Sequence, residues 1–419
     1  MIENIKEKIK SPWEFMRVYI KWIIISVIIG CVCGCVGSAF HLSIDYASEL
    51  REHNDWILYL LPLGGLLIVF LYRISNMESN RGTNNVINSV KDKERIPWKL
   101  APLIFISTVI THFCGGSSGR EGAALQLGGS IGEQTAKIFR QDKMNRNIVV
   151  MCGMSGLFAA LFGTPVTATV FVIEVVSVGI MYYSGLVPCI VSSLVAYSIA
   201  GMAGITPVSF KINSIPAIEL LTAIKISILA LVCAIVSIVF CVVMKKTAKF
   251  MKKTFKNPYI RIVSGSFIVI FLTLLVGTYD YNGAGMNIVA KAIEGNANRY
   301  DFILKLIFTA VTIGVGFKGG EIVPTFFVGA TFGCVFGGFL GLDAGFSAAL
   351  GLIALFCGVV NCPLASIVLA IELFGSDGII YYALVSGISY MMSGYFGLYS
   401  SQNIMYSKLR AEFTNREVK

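Results

Sequence analysis

Two carboxylates stand inside apolar sequence: Glu121 in the stretch GGSSGREGAALQLGGSIG (residues 115–132) and Glu321 in GFKGGEIVPTFFVGATFG (residues 316–333). An ionised side chain at the centre of a membrane helix costs roughly 2.5–3.5 kcal/mol on insertion scales, so such groups line a pathway or meet a partner. The glycines around them suggest the chemistry. Gly115, Gly116, Gly119 and Gly122 interrupt one helix and let backbone approach a ligand, and the run Ala123, Ala124, Leu125, Leu127 begins another. Free N–H groups at a helix start attract anions, helped by the helix dipole. A carboxylate there fills such a site when charged and leaves it when protonated or displaced. The blander readings are that Glu121 pairs with Arg120 or caps its helix, and that Glu321 pairs with Lys318.

The elements that must position these groups are membrane helices. The 419 residues are 55% hydrophobic and 14% charged, with a mean hydropathy of +0.75, which excludes an ordinary soluble domain. Apolar runs long enough to span occur at 22–40, 57–72, 224–244, 260–277 and 303–315. The N-terminal MIENIKEKIK reads as an amphipathic surface helix, not a cleaved signal. Basic residues cluster at 6–21, 91–99, 137–146, 245–256 and 408–419, against an acidic loop at 45–55, which places both termini on the cytoplasmic side of the plasma membrane. The net charge of +10 is then a topology signal, and no nucleic-acid partner is expected. Eleven cysteines without a C-x-x-C pair, and three scattered histidines, point to neither disulfides nor a metal site. Cys31, Cys33 and Cys35 read as small packing residues. No cofactor is implied.

Features of the first half recur in the second. Gly82-Thr83-Asn84 and Gly285-Met286-Asn287 each open a short amphipathic run (285 − 82 = 203), Glu121 and Glu321 each follow a glycine break (321 − 121 = 200), and Pro165…Glu174 matches Pro363…Glu372 (372 − 174 = 198). A duplicated membrane unit places substrate between facing halves. Five segments result: a cytoplasmic amphipathic helix (1–20), a first membrane repeat (21–244), a basic cytoplasmic linker (245–261), a second membrane repeat (262–407) and a short cytoplasmic tail (408–419). Glu174 and Glu372 read as helix-end caps, His112 as a packed histidine, and the spacing Gly329, Gly333, Gly337 as close helix packing. No H-E-x-x-H helix suggests an intramembrane enzyme.

GSSGREG with its following helix, GGEIVP and the two Pro-to-Glu segments resemble the CLC chloride channels and proton-coupled anion transporters, from about residue 20 to the end. The resemblance implies an all-α membrane protein of CLC-type fold: two inverted repeats of tilted and broken transmembrane helices, assembled as a homodimer with a pore in each subunit. Glu121 resembles the external gating glutamate. Gly119, Arg120 and Gly122 match its motif, whose usual proline is Ala123 here. Ile322 and Val323 resemble the residues whose backbone N–H groups bind the central anion, and Thr83 and Asn84 fall where chloride-selective members carry a serine motif. Tyr406, in QNIMYSKLR, resembles the pore tyrosine by local pattern, with Tyr399 as a rival.

The departures narrow the branch. Val175 stands where proton-coupled chloride members place an internal glutamate, the serine motif is altered at Gly82–Val86, and Glu321 is a carboxylate at a position normally apolar. This combination resembles the fluoride/proton antiporters, with a chloride channel or chloride/proton exchanger of the same family as the alternative. Fluoride is small and strongly hydrated, so its site must replace water with short hydrogen bonds. The expected partners are fluoride, protons and membrane lipid, with Glu121 and Glu321 gating and transferring protons.

Overall fold

The computed structural model describes residues 12–78, 82–91 and 94–419. Helices α1 (Pro12–Glu52), α2 (Leu61–Ile74), α3 (Thr83–Val90), α4 (Leu100–Phe113), α5 (Glu121–Ile138), α6 (Lys143–Phe162), α7 (Pro165–Val175) and α8 (Leu186–Met202) form the first half. The second half contains α9 (Leu220–Thr254), α10 (Pro258–Val276), α11 (Met286–Ile293), α12 (Asp301–Val315), α13 (Ile322–Phe339), α14 (Ala344–Val360), α15 (Pro363–Phe374) and α16 (Ile379–Met392). Seven helical segments among the described residues are long and apolar enough to cross a membrane. Others stop short: the 11 residues of α7 and 12 of α15 rise about 16–18 Å, against a hydrocarbon core of about 30 Å. Phe267, Phe271, Leu274 and Leu275 on α10 are exposed, as side chains facing lipid are, while α14 is buried along its length.

The duplication seen in sequence holds helix by helix. Both α3 and α11 are 8 residues long and follow a glycine at positive φ, 66° at Gly82 and 81° at Gly285. Asp142 and Asp343 cap α6 and α14 by accepting from Asn145 N–H and Phe346 N–H, and each helix closes on a left-handed residue, Gly163 or Asn361. Helices α7 and α15 each open on a proline, whose missing N–H is harmless at that position. Glu372, late in α15, accepts from Val166 N–H at 3.0 Å and Thr167 N–H at 2.8 Å at the start of α7. Glu174, late in α7, accepts from Leu364 N–H at 3.2 Å and Ala365 N–H at 2.8 Å at the start of α15. The end of each helix meets the start of the other, so the two copies run in opposite directions, as an inverted repeat requires. The helix-cap reading of both glutamates is correct, and each caps its counterpart's helix.

Glycine contacts join neighbouring helices in both halves. A Cβ at Gly128 in α5 would collide with the carbonyl of Gly153 in α6, and one at Gly329 in α13 would lie 2.6 Å from the carbonyl of Gly351 in α14. Close backbone packing without a ligand is what the glycine spacing in α13 does.

Several segment boundaries differ from the sequence reading. No break separates residues 12–20 from the first span, because α1 continues through them without glycine or proline after Pro12. Residues 1–11 of the expected surface helix lie outside the described residues. The linker at 245–261 is mostly helix: α9 extends to Thr254 through lysines that favour helix, and the chain opens only at 255–257, where Asn257 accepts from Tyr259 N–H at 2.9 Å ahead of Pro258. The C-terminal tail contributes strand β3 (Phe413–Glu417), antiparallel to β2 (Asn403–Tyr406), which pairs in parallel with β1 (Ser177–Val178) after α7.

Candidate anion and proton site

The residues before α5 and α13 meet at the centre of the molecule. Gly119 and Gly320 form an antiparallel bridge, each N–H donating to the other's carbonyl at 2.7 Å. This bridge brings the two helix starts, one from each repeat, side by side. Glu121 is fully buried, and its Oε2 accepts from Val323 N–H of α13 at 3.2 Å. A carboxylate of the first repeat therefore fills the amide cradle of the second. Its Oε1 is buried without a partner among the described residues. Gly119 is required by this geometry, because a Cβ there would strike Glu121 Oε2.

Arg120 does not pair with Glu121. Its Nη1 donates to Asp45 Oδ1 at 2.8 Å, and Asp45 Oδ2 lies 2.8 Å from His41 Nε2. His112 is packed as expected, with Nε2 3.3 Å from the carbonyl of Gly119. Glu321 precedes the first residue of α13, within electrostatic reach of Glu121. No ion pair joins it to Lys318 among the described residues; the Lys318 ammonium lies 4.3 Å from the centre of the Tyr72 ring.

Each glutamate faces its own cavity. One, of about 360 Å³, is lined by Asp45, Glu52, Asp280, Arg51, Arg120, His112, Glu121 and Val323, and is rimmed by acids. The other, of about 280 Å³, is lined by Thr83, Asn84, Gln126, Tyr399, the acids Glu78 and Glu321, and the bases Lys252, Arg261 and Lys318, and is the more basic of the two. The bridge lies between the segments that carry the two glutamates. The arrangement suits alternating occupancy: an anion or a carboxylate can accept from the amides of Ile322 and Val323, but both cannot do so in one place.

The remaining candidates gather at the basic side. Thr83, at the start of α3, donates through Oγ1 to the Gly122 carbonyl at 3.3 Å. Gly122 and Ala123 form the first turn of α5, and Ile322 and Val323 are buried in that of α13. Asn84 does not face the cradle alone: its Oδ1 accepts from Ser401 N–H at 2.9 Å, tying α3 to the loop that carries Tyr399. Tyr399 is 2% exposed, lines the basic cavity and has a buried hydroxyl without a partner among the described residues.

Tyr406 is a correction. It sits on β2, 48% exposed, with its ring centre 5.6 Å from that of Phe413, beside a separate cavity lined by Glu174 and Tyr390. The strand holds this side chain outside the basic cavity, which Tyr399 lines.

Two residues escape the sequence reading. Gln126, on α5, donates from Nε2 to the Gly122 carbonyl at 3.0 Å and lines the basic cavity. An amide set among the small and apolar residues Ala123–Gly129 of α5 is the signal that could have found it. Gln402 is fully buried and donates from Nε2 to the carbonyls of Val175 at 3.0 Å and Val360 at 2.9 Å, the ends of α7 and α14. It anchors the Tyr399 loop between the repeats beside Val175. Nothing local in the sequence marks it.

This fold and site define a transport protein, and residues 63–394 match the family model described as voltage gated chloride channel. The chain belongs to this CLC family of membrane transport proteins and is not a catalytic enzyme. It is 31% identical over 395 residues to the "Chloride/fluoride channel protein" of Pseudomonas syringae pv. tomato, covering 93% of this chain and 87% of that protein. It is 25% identical to the "H(+)/Cl(-) exchange transporter ClcA" of Vibrio campbellii, over 84% of this chain and 81% of that one. The solved structure of a CLC-type fluoride/proton antiporter superposes with a TM-score of 0.89 at 28% identity, covering 94% of this chain and 99% of that chain. A slow cyanobacterial Cl−/H+ antiporter shares the fold at a TM-score of 0.73 and 18% identity, over 89% of this chain and 94% of that one.

Proposed function

We propose that this protein is a fluoride/proton antiporter that exports fluoride from the cytoplasm as protons enter. At the coarser level it is a CLC-family secondary transporter moving an anion coupled to protons. The observation that carries the finer reading is Glu321 placed directly before the amides of Ile322 and Val323, with Glu121 already bonded to Val323 from the opposite repeat. The names of similar proteins, a chloride/fluoride channel protein and a CLC-type fluoride/proton antiporter, support it.

The basic cavity is the cytoplasmic one, since Lys252 and Arg261 lie in the most basic segment of the chain, where α9 ends and α10 begins, and the acid-rimmed cavity opens outward. Fluoride enters past Thr83 and Tyr399, and a protonated Glu321 donates a hydrogen bond to it. Fluoride then takes the Val323 amide from Glu121, which leaves as the protonated acid and carries its proton inward when it returns. Coupling in this scheme needs no glutamate at Val175. The protein works in the plasma membrane as a homodimer with both termini inside.

The second reading, a chloride channel or chloride/proton exchanger, is favoured by the names of the family and of the Vibrio relative. Liposomes loaded with either anion separate the two. Fluoride efflux well above chloride efflux, with acidification of the loaded interior, supports the antiporter. Chloride efflux equal to or faster than fluoride efflux contradicts it.

A further inference from the structure

Lys318 has no role in this transport scheme. It sits three residues before Glu321, partly exposed toward the basic cavity, and no ion pair joins it to a carboxylate among the described residues. Its ammonium is covered on one side by the ring of Tyr72 at 4.3 Å. Two further cations, Lys252 of α9 and Arg261 of α10, line the same cavity and act electrostatically on Lys318. Arg261 is fixed by backbone, donating from Nε to the carbonyl of Val315 at 3.2 Å and from Nη1 to that of Phe255 at 3.4 Å. Glu78, which also lines the cavity, lies 3.7 Å from Arg73 and is held by it. Three positive charges from three elements thus converge at the mouth of the gate, with Glu321 as the one acid there not held by a cation among the described residues. Like charges at close range repel, and a mobile anion in their midst removes that penalty.

We infer that Lys318, supported by Arg261 and Lys252, holds an anion in the basic cavity one step before the amides of Ile322 and Val323. The inference rests on the reading that this cavity loads the transported anion. Lysine fits a monatomic ion. An ammonium is a compact point charge with strong donors, whereas the planar fork of arginine matches carboxylates and phosphates. The Tyr72 ring takes one face of the ammonium, and Lys318 lines the cavity. Glu321 and the held halide then lie on one loop, so the anion and the acid that donates to it arrive together.

The test is fluoride efflux from liposomes containing the full-length protein, with initial rates measured across fluoride concentrations. Lys318→Met keeps the length of the side chain and removes its charge. It should raise the fluoride KM roughly tenfold while changing the maximal rate by less than about twofold, and Lys318→Arg, which keeps the charge but not the compact ammonium, should restore only part of the affinity. An unchanged KM in Lys318→Met, or a loss confined to the maximal rate, overturns the inference. A measurement on the wild-type protein guards against a misfolded variant: an impermeant salt that shortens the screening length from about 30 to 8 Å should raise the KM severalfold. A KM that ignores ionic strength also counts against the station. If the wild-type protein moves no fluoride but moves chloride, the antiporter reading fails, and the same variants assayed with chloride still decide whether Lys318 holds the anion.

Discussion

Glu121 Oε2 accepts a hydrogen bond from Val323 N–H at 3.2 Å, so an acid of the first repeat closes the amide cradle of the second. The bond crosses from one repeat to the other beside the bridge of Gly119 to Gly320. In the proposed antiporter, competition between this carboxylate and a halide for one amide is what couples the two ions.

Replacing Glu121 by glutamine gives a side chain that cannot carry a proton. We predict that proton uptake falls to background in a liposome assay with internal pH dye. Proton uptake that continues in step with fluoride would remove Glu121 from the mechanism.

Glu321→Ala removes both the hydrogen-bond donor and the exchangeable proton. Fluoride flux should fall about 10- to 100-fold, the range expected when a hydrogen bond to a charged partner worth about 1.5–3 kcal/mol is lost. Flux within twofold of wild type, measured with a fluoride electrode, would assign Glu321 to packing.

Tyr399 and Tyr406 offer an internal comparison. Tyr399→Phe removes a buried hydroxyl from the basic cavity and should lower the fluoride-over-chloride rate ratio about tenfold. Tyr406→Phe should leave it within twofold, since that ring lies on β2 against Phe413. A reversed result would restore Tyr406 as the pore tyrosine.

The crossed caps of Glu174 and Glu372 are structural in this scheme. Glu174→Ala strips the acceptor from Leu364 N–H and Ala365 N–H and should cost about 1–2 kcal/mol. The readout is a lower melting temperature in detergent with proton-to-fluoride coupling retained. Lost coupling with unchanged stability would give Glu174 a proton-transfer role instead.

Much of the fold was legible because its punctuation is chemical. Glycines at Gly82 and Gly285, prolines at Pro165 and Pro363, and acids in apolar helices mark helix starts and ends by residue type, and their recurrence marks the duplication. Glu121 and Glu321 were legible for the same reason: a charge in apolar sequence needs a function or a partner. Partners remote in the chain were not legible. Arg120 finds Asp45, 75 residues away, and so leaves Glu121 free for Val323. Tyr399 reaches the basic cavity because Asn84 and Gln402 anchor its loop from other elements, whereas Tyr406 matched a local pattern and was drawn into a strand. The lysines after Met244 read as a loop by charge, yet lysine is a good helix former and no glycine or proline interrupts α9 before it ends at Thr254.

Coupled exchange is tested most directly by recording fluoride and proton movement together in liposomes loaded with fluoride. Efflux should release fluoride and draw protons in at a constant ratio, against a pH gradient of moderate size, with chloride loading giving far slower release. Fluoride leaving without protons, or chloride leaving as fast as fluoride, would contradict the antiporter mechanism.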